Sequence, residues 1–187
     1  MAENLKTTHY NNGDEIPTGY SNSDWIELEI GAYSVYPADS STTCGDNCAD
    51  VYGNLYNWYA LDDFRGICPD AWHIPSDEEW TILTDYLGGN DTAGHKMREC
   101  TAGSCPESDY WNSPSDETTN ESGFTALPGG ARDPRYGKDF YGIGNYSYFW
   151  SSSEGSSTSA WARKITDVII QGDQSKQYGY SIRCLKD

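Results

Sequence analysis

Six cysteines set the tightest limit on what this chain can become: Cys44, Cys48, Cys68, Cys100, Cys105 and Cys184. The set is even, and it allows fifteen complete pairings among which sequence alone does not choose. Two pairs lie close together, in CGDNC (44 to 48) and CTAGSC (100 to 105). A zinc site asks for C-x2-C-like spacing with histidines nearby. Neither pair has that spacing, and His9, His73 and His95 are scattered. The cysteines therefore read as disulfides formed in an oxidising compartment. The first residues, MAENLKTT, are polar and show no apolar signal core. The expectation is that an upstream segment is missing or removed, and that Met1 is not the biological start.

A disulfide framework needs a core to staple, and here rings supply it. The 187 residues include 7 Trp, 15 Tyr and 4 Phe, too many aromatics for a disordered chain. The length suits one domain over residues 1–187. The formal net charge of −17 repels nucleic-acid backbones and anionic membrane surfaces. It suits the solvated surface of an extracellular protein. No stretch approaches the roughly 20 apolar residues that span a bilayer.

Local patterns then place the elements. WIELEI (25 to 30) fits a short strand or one helical turn, and AYSVY (32 to 36) a strand. PADSSTTCGDNCAD (37 to 50) reads as a loop. YGNLYNWYALDDF (52 to 64) reads as a helix with Leu55, Trp58, Tyr59 and Phe64 on one side. Ser76 and Glu79 match a capping box, Asp77 and Glu78 suit the positive helix end, and Trp80, Leu83 and Leu87 form a buried stripe. SDEEWTILTDYLGG is thus a second helix, stopped at Gly88–Gly89. Beyond residue 90 the pattern dissolves into Gly-, Pro-, Asn- and Asp-rich loops. Short strands are expected at SYFWSSS (147 to 153), SAWARKI (159 to 165), DVIIQG (167 to 172) and YSIRCLK (180 to 186), in an antiparallel sheet.

The motifs MAENLKTT, GAYSVY, YGNLYNWYAL, CPDAWHIPSDEEW, YLGG, NESGFTALPGGAR, FWSSSE, AWARKI and YSIRCLKD, in that order, resemble the Fibrobacter succinogenes major paralogous domain of bacterial surface and secreted proteins. That family in turn resembles formylglycine-generating enzymes and C-type lectin-like folds: HIPSDEEW is similar to R-L-P-T-E-x-E-W, and YSIRC to a closing G-F-R-C strand. The resemblance implies an α+β, lectin-like domain with two helices, a small antiparallel sheet and long irregular loops, stapled by disulfides. It also implies the pairs Cys68–Cys184, Cys44–Cys48 and Cys100–Cys105.

Catalysis is the weaker reading of CPDAWHIPSDEEW (68 to 80). A nucleophilic cysteine must be a free thiolate beside a base, whereas Cys68 is expected to be oxidised and Glu79 occupied by the cap. His73 reads as a core histidine. Formylglycine-generating activity asks for a cysteine pair just before the closing motif, and residues 150 to 183 hold no cysteine. Calcium-dependent sugar binding is doubtful too, since Trp111–Asn112 is followed by Ser113 and no Glu-Pro-Asn occurs. No cofactor is expected; a structural calcium is weighed at Asp62, Asp63, Asp116 and Glu121. The functional expectation is a non-enzymatic extracellular or cell-surface adhesion module for a glycan or protein ligand. Its contacts are Tyr136, Asp139, Tyr141, Asn145, Tyr146 and Tyr148, with Gln174, Lys176 and Tyr178 from the polar hairpin-like segment 171 to 181. The alternative is a subunit that assembles with its own copies into an extracellular filament, through an N-terminal arm free to pair with a sheet edge. An enzyme with residual activity ranks last.

Overall fold

A short helix, α1 (Asn22–Trp25), opens the order of elements, capped by the Ser21 hydroxyl. The computed structural model describes residues 1–38, 44–101, 105–133 and 139–187. Next come β1 (Tyr33–Ser34), α2 (Cys48–Tyr52), β2 (Leu55–Tyr56), α3 (Trp58–Leu61) and β3 (Trp72–His73). Asn47 caps α2 and Asn57 caps α3, each with a side-chain oxygen on a first-turn N–H. The longest helix, α4 (Asp77–Tyr86), carries the full capping box of Ser76 and Glu79. After α5 (Asn90–Met97) the chain is mostly strand: β4 (Gly129–Arg132), β5 (Phe140–Ile143), β6 (Ser147–Ser156), β7 (Ser159–Ile165), β8 (Ile169–Ser175) and β9 (Leu185–Lys186).

Five of these strands form one sheet in the order β5-β4-β6-β7-β8. The pairs β4–β5, β6–β7 and β7–β8 are antiparallel, while β4–β6 is parallel through Gly130 opposite Ser147. The sheet is curled, and its faces bury different layers. One face presents Phe149, Ile165 and Ile169 to Trp80 and Leu87 from around α4 and to Ala93 and Met97 of α5. The other presents Tyr148, Trp150, Ala160 and Ala162 to Trp58 and Tyr180. Ala162 lies opposite Trp150 in the ladder, and its small side chain makes room for the ring. Full burial of rings such as Trp150, Phe149 and Tyr180 stabilises by roughly 1.5–3 kcal/mol each.

The two-helix, lectin-like expectation is corrected. Strands dominate, the main sheet is mixed rather than small and antiparallel, and among the described residues helix is divided among five short pieces. Part of the reason lies at Gly53 and Asn57. The expected helix 52 to 64 breaks at Gly53, where φ is 78° and a Cβ would lie 2.8 Å from the Asn4 Cβ and from the Leu5 oxygen. Asn57 then accepts the Ala32 N–H and donates to the Ile30 carbonyl, besides capping α3. Leu55 and Tyr56 pair with β1 instead, and Phe64 lies 96% exposed rather than on a shared apolar side. The rest of the reason lies in LPGGAR. Its glycines read as loop, yet Gly130 lets the β5 backbone approach to 2.5 Å from where a Cβ would sit, which creates β4. The segment after residue 90, read as loop, begins with α5. Within 180 to 186, Leu185–Lys186 pairs with β3, while Tyr180 and Ser181 make single bridges to Tyr56 and Phe149.

The structure pairs Cys44 with Cys48, Cys100 with Cys105, and Cys68 with Cys184 across 116 residues. On the chain-entropy account, closing a loop of that length contributes about 4–5 kcal/mol, against about 2 kcal/mol for the short ones. The N-terminal arm is not free. The Leu5 N–H donates to the Ile182 carbonyl, the Asn54 N–H to the Leu5 carbonyl, and Asn4 Nδ2 to the Tyr52 carbonyl. Leu5, Tyr10 and Ile16 are buried in one cluster with the Cys68–Cys184 bridge. Among the described residues no helix is long and apolar enough to cross a membrane.

A tyrosine-lined cleft as candidate site

Strand alternation builds the site. In β7 and β8 the register sets Ala160 opposite Gln174, Ala162 opposite Gly172 and Lys164 opposite Ile170. In β6, Tyr148 lies opposite Lys164 and Trp150 opposite Ala162. All of these share the face away from α4 and α5, by the period of two. Trp58 and Tyr180 cover part of that face. The remainder is a cleft of about 190 Å³ lined by Tyr141, Tyr148, Ala162, Lys164, Ile170, Gly172, Gln174 and Tyr180.

The rings form one connected array. Tyr148 stacks on Tyr180 with centroids 4.8 Å apart and planes 13° apart. Tyr178 stacks on the same ring at 5.5 Å. Tyr141 and Tyr146 meet Tyr148 edge to face at 5.9 and 6.1 Å. Lys164 Nζ lies 3.7 Å from the Tyr146 centroid and 5.8 Å from that of Tyr148, a cation–π arrangement. The Tyr180 hydroxyl donates to Gln174 Oε1 at 3.4 Å. Burial raises the Tyr148 and Tyr180 hydroxyls well above the usual phenol range, so both stay protonated. Burial also lowers the Lys164 ammonium.

Of the expected contact residues, the fold brings Tyr141, Tyr146, Tyr148, Gln174 and Tyr178 together at this array. It separates the others. Lys176 is buried, with its ammonium on Glu154 and 4.4 Å from the Trp58 centroid, so it braces the core. Asn145 lies exposed in the turn between β5 and β6, where its side chain donates to the Ile143 carbonyl. Asp139 lines a different hollow, with Tyr20, Asn22, Arg132 and Phe140. Tyr136 falls outside the described residues. Lys164 and Tyr180 escaped the sequence reading. The signal available was the alternation in SAWARKI, which puts Ala160, Ala162 and Lys164 on one face.

In CPDAWHIPSDEEW (68 to 80) the candidate groups are tied into the scaffold. Cys68 is oxidised. His73 is half-exposed rather than a core residue, its Nδ1 2.6 Å from Asp187 Oδ1 and its Nε2 2.9 Å from Glu79 Oε1. Glu79 also accepts the Ser76 N–H at 2.8 Å. The acidic calcium candidates do not converge. Asp63 holds Arg65 at 2.7 Å and Glu121 holds Lys96 at 2.9 Å, while Asp62 and Asp116 lie exposed. Among the described residues no three His, Cys, Asp or Glu side chains group as metal ligands.

No curated protein and no solved structure matches the chain. The model of one protein family, the Fibrobacter succinogenes major domain, matches residues 1–186. By a match that runs almost from end to end, the chain belongs to the Fibrobacter succinogenes major domain family.

Proposed function

We propose that this is a non-enzymatic, extracellular binding module whose tyrosine cleft takes a carbohydrate. The observation that carries the reading is the convergence of Tyr141, Tyr148 and Gln174, from three strands, on one recess with Lys164, whose ammonium rests on the adjoining Tyr146 ring. Ring faces stack on the apolar faces of sugars, and hydroxyl, amide and ammonium groups bond the sugar hydroxyls. The recess is smaller than the ~300–1,000 Å³ of drug-sized sites, which suits one saccharide ring. The three disulfides support an oxidising, extracellular setting. The test is a glycan array followed by calorimetry on the strongest binder. Tyr141→Ala and Gln174→Ala should each weaken binding by about tenfold while the melting curve persists. Variants that bind as well as the wild type, or an array with no binder, would overturn the reading.

A second reading, self-assembly into an extracellular filament, draws on a different place. Ile82, Tyr86 and Leu185 are exposed, Tyr86 by 85%. They line an apolar groove of about 450 Å³ with Trp80, Leu83 and Phe124, and an exposed apolar patch of this kind marks an interaction surface. Its occupant in this reading is a second copy. Electron microscopy of the purified wild type and of Tyr86→Glu tests it: filaments lost in the variant would favour assembly, and discrete wild-type particles at high concentration would sink it.

A further inference from the structure

The charges around the cleft narrow its ligand. Acidic residues outnumber basic ones 29 to 12 in this chain, and several of its cations are matched to carboxylates. Arg163 holds Asp77, Lys176 holds Glu154, and Arg98 holds Asp167. Lys164, on the opposite face of β7 from Arg163, has no ion-pair partner among the described residues. Its ammonium rests on Tyr146 instead. None of the eight residues lining the cleft is acidic. A partly desolvated ammonium of this kind gains most from an anion delivered to it, since charge-assisted bonds strengthen as water is excluded. Gln174 adds a second polar group: its Oε1 is engaged by Tyr180, which leaves the amide nitrogen as a donor. The net charge of −17 works the other way at long range, because it repels polyanions. The two effects together select a single local negative charge on an otherwise neutral chain of sugars.

We propose that the cleft recognises a saccharide residue bearing one carboxylate, with the Lys164 ammonium as its charge partner and the tyrosine array as its stacking surface. The inference rests on the carbohydrate reading above and adds the chemistry of the ligand. Lys164 is a specificity residue here: it distinguishes a carboxylated ring from its neutral counterpart, while Tyr141 and Tyr148, which line the cleft, supply affinity common to both.

The test uses an array of oligosaccharides ending in uronic acids and other carboxylated sugars. Each is printed beside its carboxyl-reduced, neutral form and beside a long polyuronate. The full chain and its Lys164→Met and Lys164→Arg variants are probed, with melting curves to confirm that both variants fold. The wild type should hold acid-terminated forms about tenfold or more tightly than their neutral partners. That preference should shrink with added salt, vanish in Lys164→Met and survive in Lys164→Arg. The polyuronate should bind more weakly than the singly charged forms at low salt. Equal binding of acidic and neutral forms, or a preference that persists in Lys164→Met, would overturn this inference and leave the carbohydrate reading standing. No binding to any sugar would overturn both.

Discussion

At neutral pH the His73 ring lies between two carboxylates, Asp187 and Glu79. Its pKa is raised above the ordinary value, first by the hydrogen bond to Asp187 and then by that to Glu79. The sign follows from linkage. A raised folded-state pKa contributes stability that is fully present below the unfolded value, about 6.5, and is lost as pH rises through the folded value. Glu79 is shifted the other way, first by the Ser76 N–H. Its contribution is present above the ordinary carboxylate range and fades as pH falls through the lowered value. A His73→Gln variant should therefore be less stable than the wild type near pH 6, and the gap should narrow toward pH 8 and above. Urea midpoints measured across that range check this, and parallel wild-type and variant curves would contradict it. Arg183 is a different case. It is buried, and burial pulls its pKa down to about 10. Its guanidinium bonds Asn4 Oδ1 and the Phe124 carbonyl, so it ties the N-terminal arm to a distant loop.

Helices α4 and α5 show how far local signals reach. The capping box at Ser76 and Glu79 and the stripe of Trp80, Leu83 and Leu87 are legible because each acts within one or two turns. The buried side of α5 is not, because its reason sits on another element. Gly94 lies in the middle of α5, and a Cβ there would meet the Thr166 carbonyl oxygen at 2.5 Å and the Asp167 carbonyl closer still. In an exposed helix, replacing Gly by Ala gains about 1 kcal/mol. Here the sign reverses: Gly94→Ala should destabilise by about 1–3 kcal/mol, because the β7–β8 turn must move. Chemical denaturation settles it, and an unchanged or higher midpoint would show that α5 does not pack as described.

Across the whole molecule the first residues and the last hold each other. Asn4 and Leu5 bond Tyr52, Asn54 and Ile182, Asn4 also takes a guanidinium bond from Arg183, and Tyr10 is 2% exposed. Deleting residues 1–10 removes two large buried side chains and leaves Arg183 without its Asn4 partner. The expected cost is ~5 kcal/mol or more, comparable to the stability of an ordinary domain. The truncated chain should lose its cooperative melt by circular dichroism. A truncated protein that melts like the full chain would mean that the arm is dispensable, as a free assembly arm would be.

The sequence by itself determined what depends on neighbours along the chain. The α4 cap, the bounds of β7 at 159 to 165, the aromatic core at Phe149 and Trp150, and the acidic balance all follow from residue type and short-range period. Part of the ring array around the cleft was legible for the same reason, since Tyr141, Tyr146, Tyr148, Gln174 and Tyr178 are aromatic or polar positions in segments rich in turn-forming residues. Only the tertiary structure decided the rest. That Cys68 joins Cys184 and that Gly53 breaks a helix against Asn4 depend on groups tens of residues away, and that Gly130 admits a neighbouring strand depends on the path the chain takes after β4. So does the line between Lys176 and Lys164. Lys176 is expected at the contact surface and Lys164 is not, but Lys176 is buried and holds Glu154, while the Lys164 ammonium rests on tyrosine rings with no ion-pair partner among the described residues. A side chain's partner is set by strand register and sheet order, and pairing between distant segments fixes both.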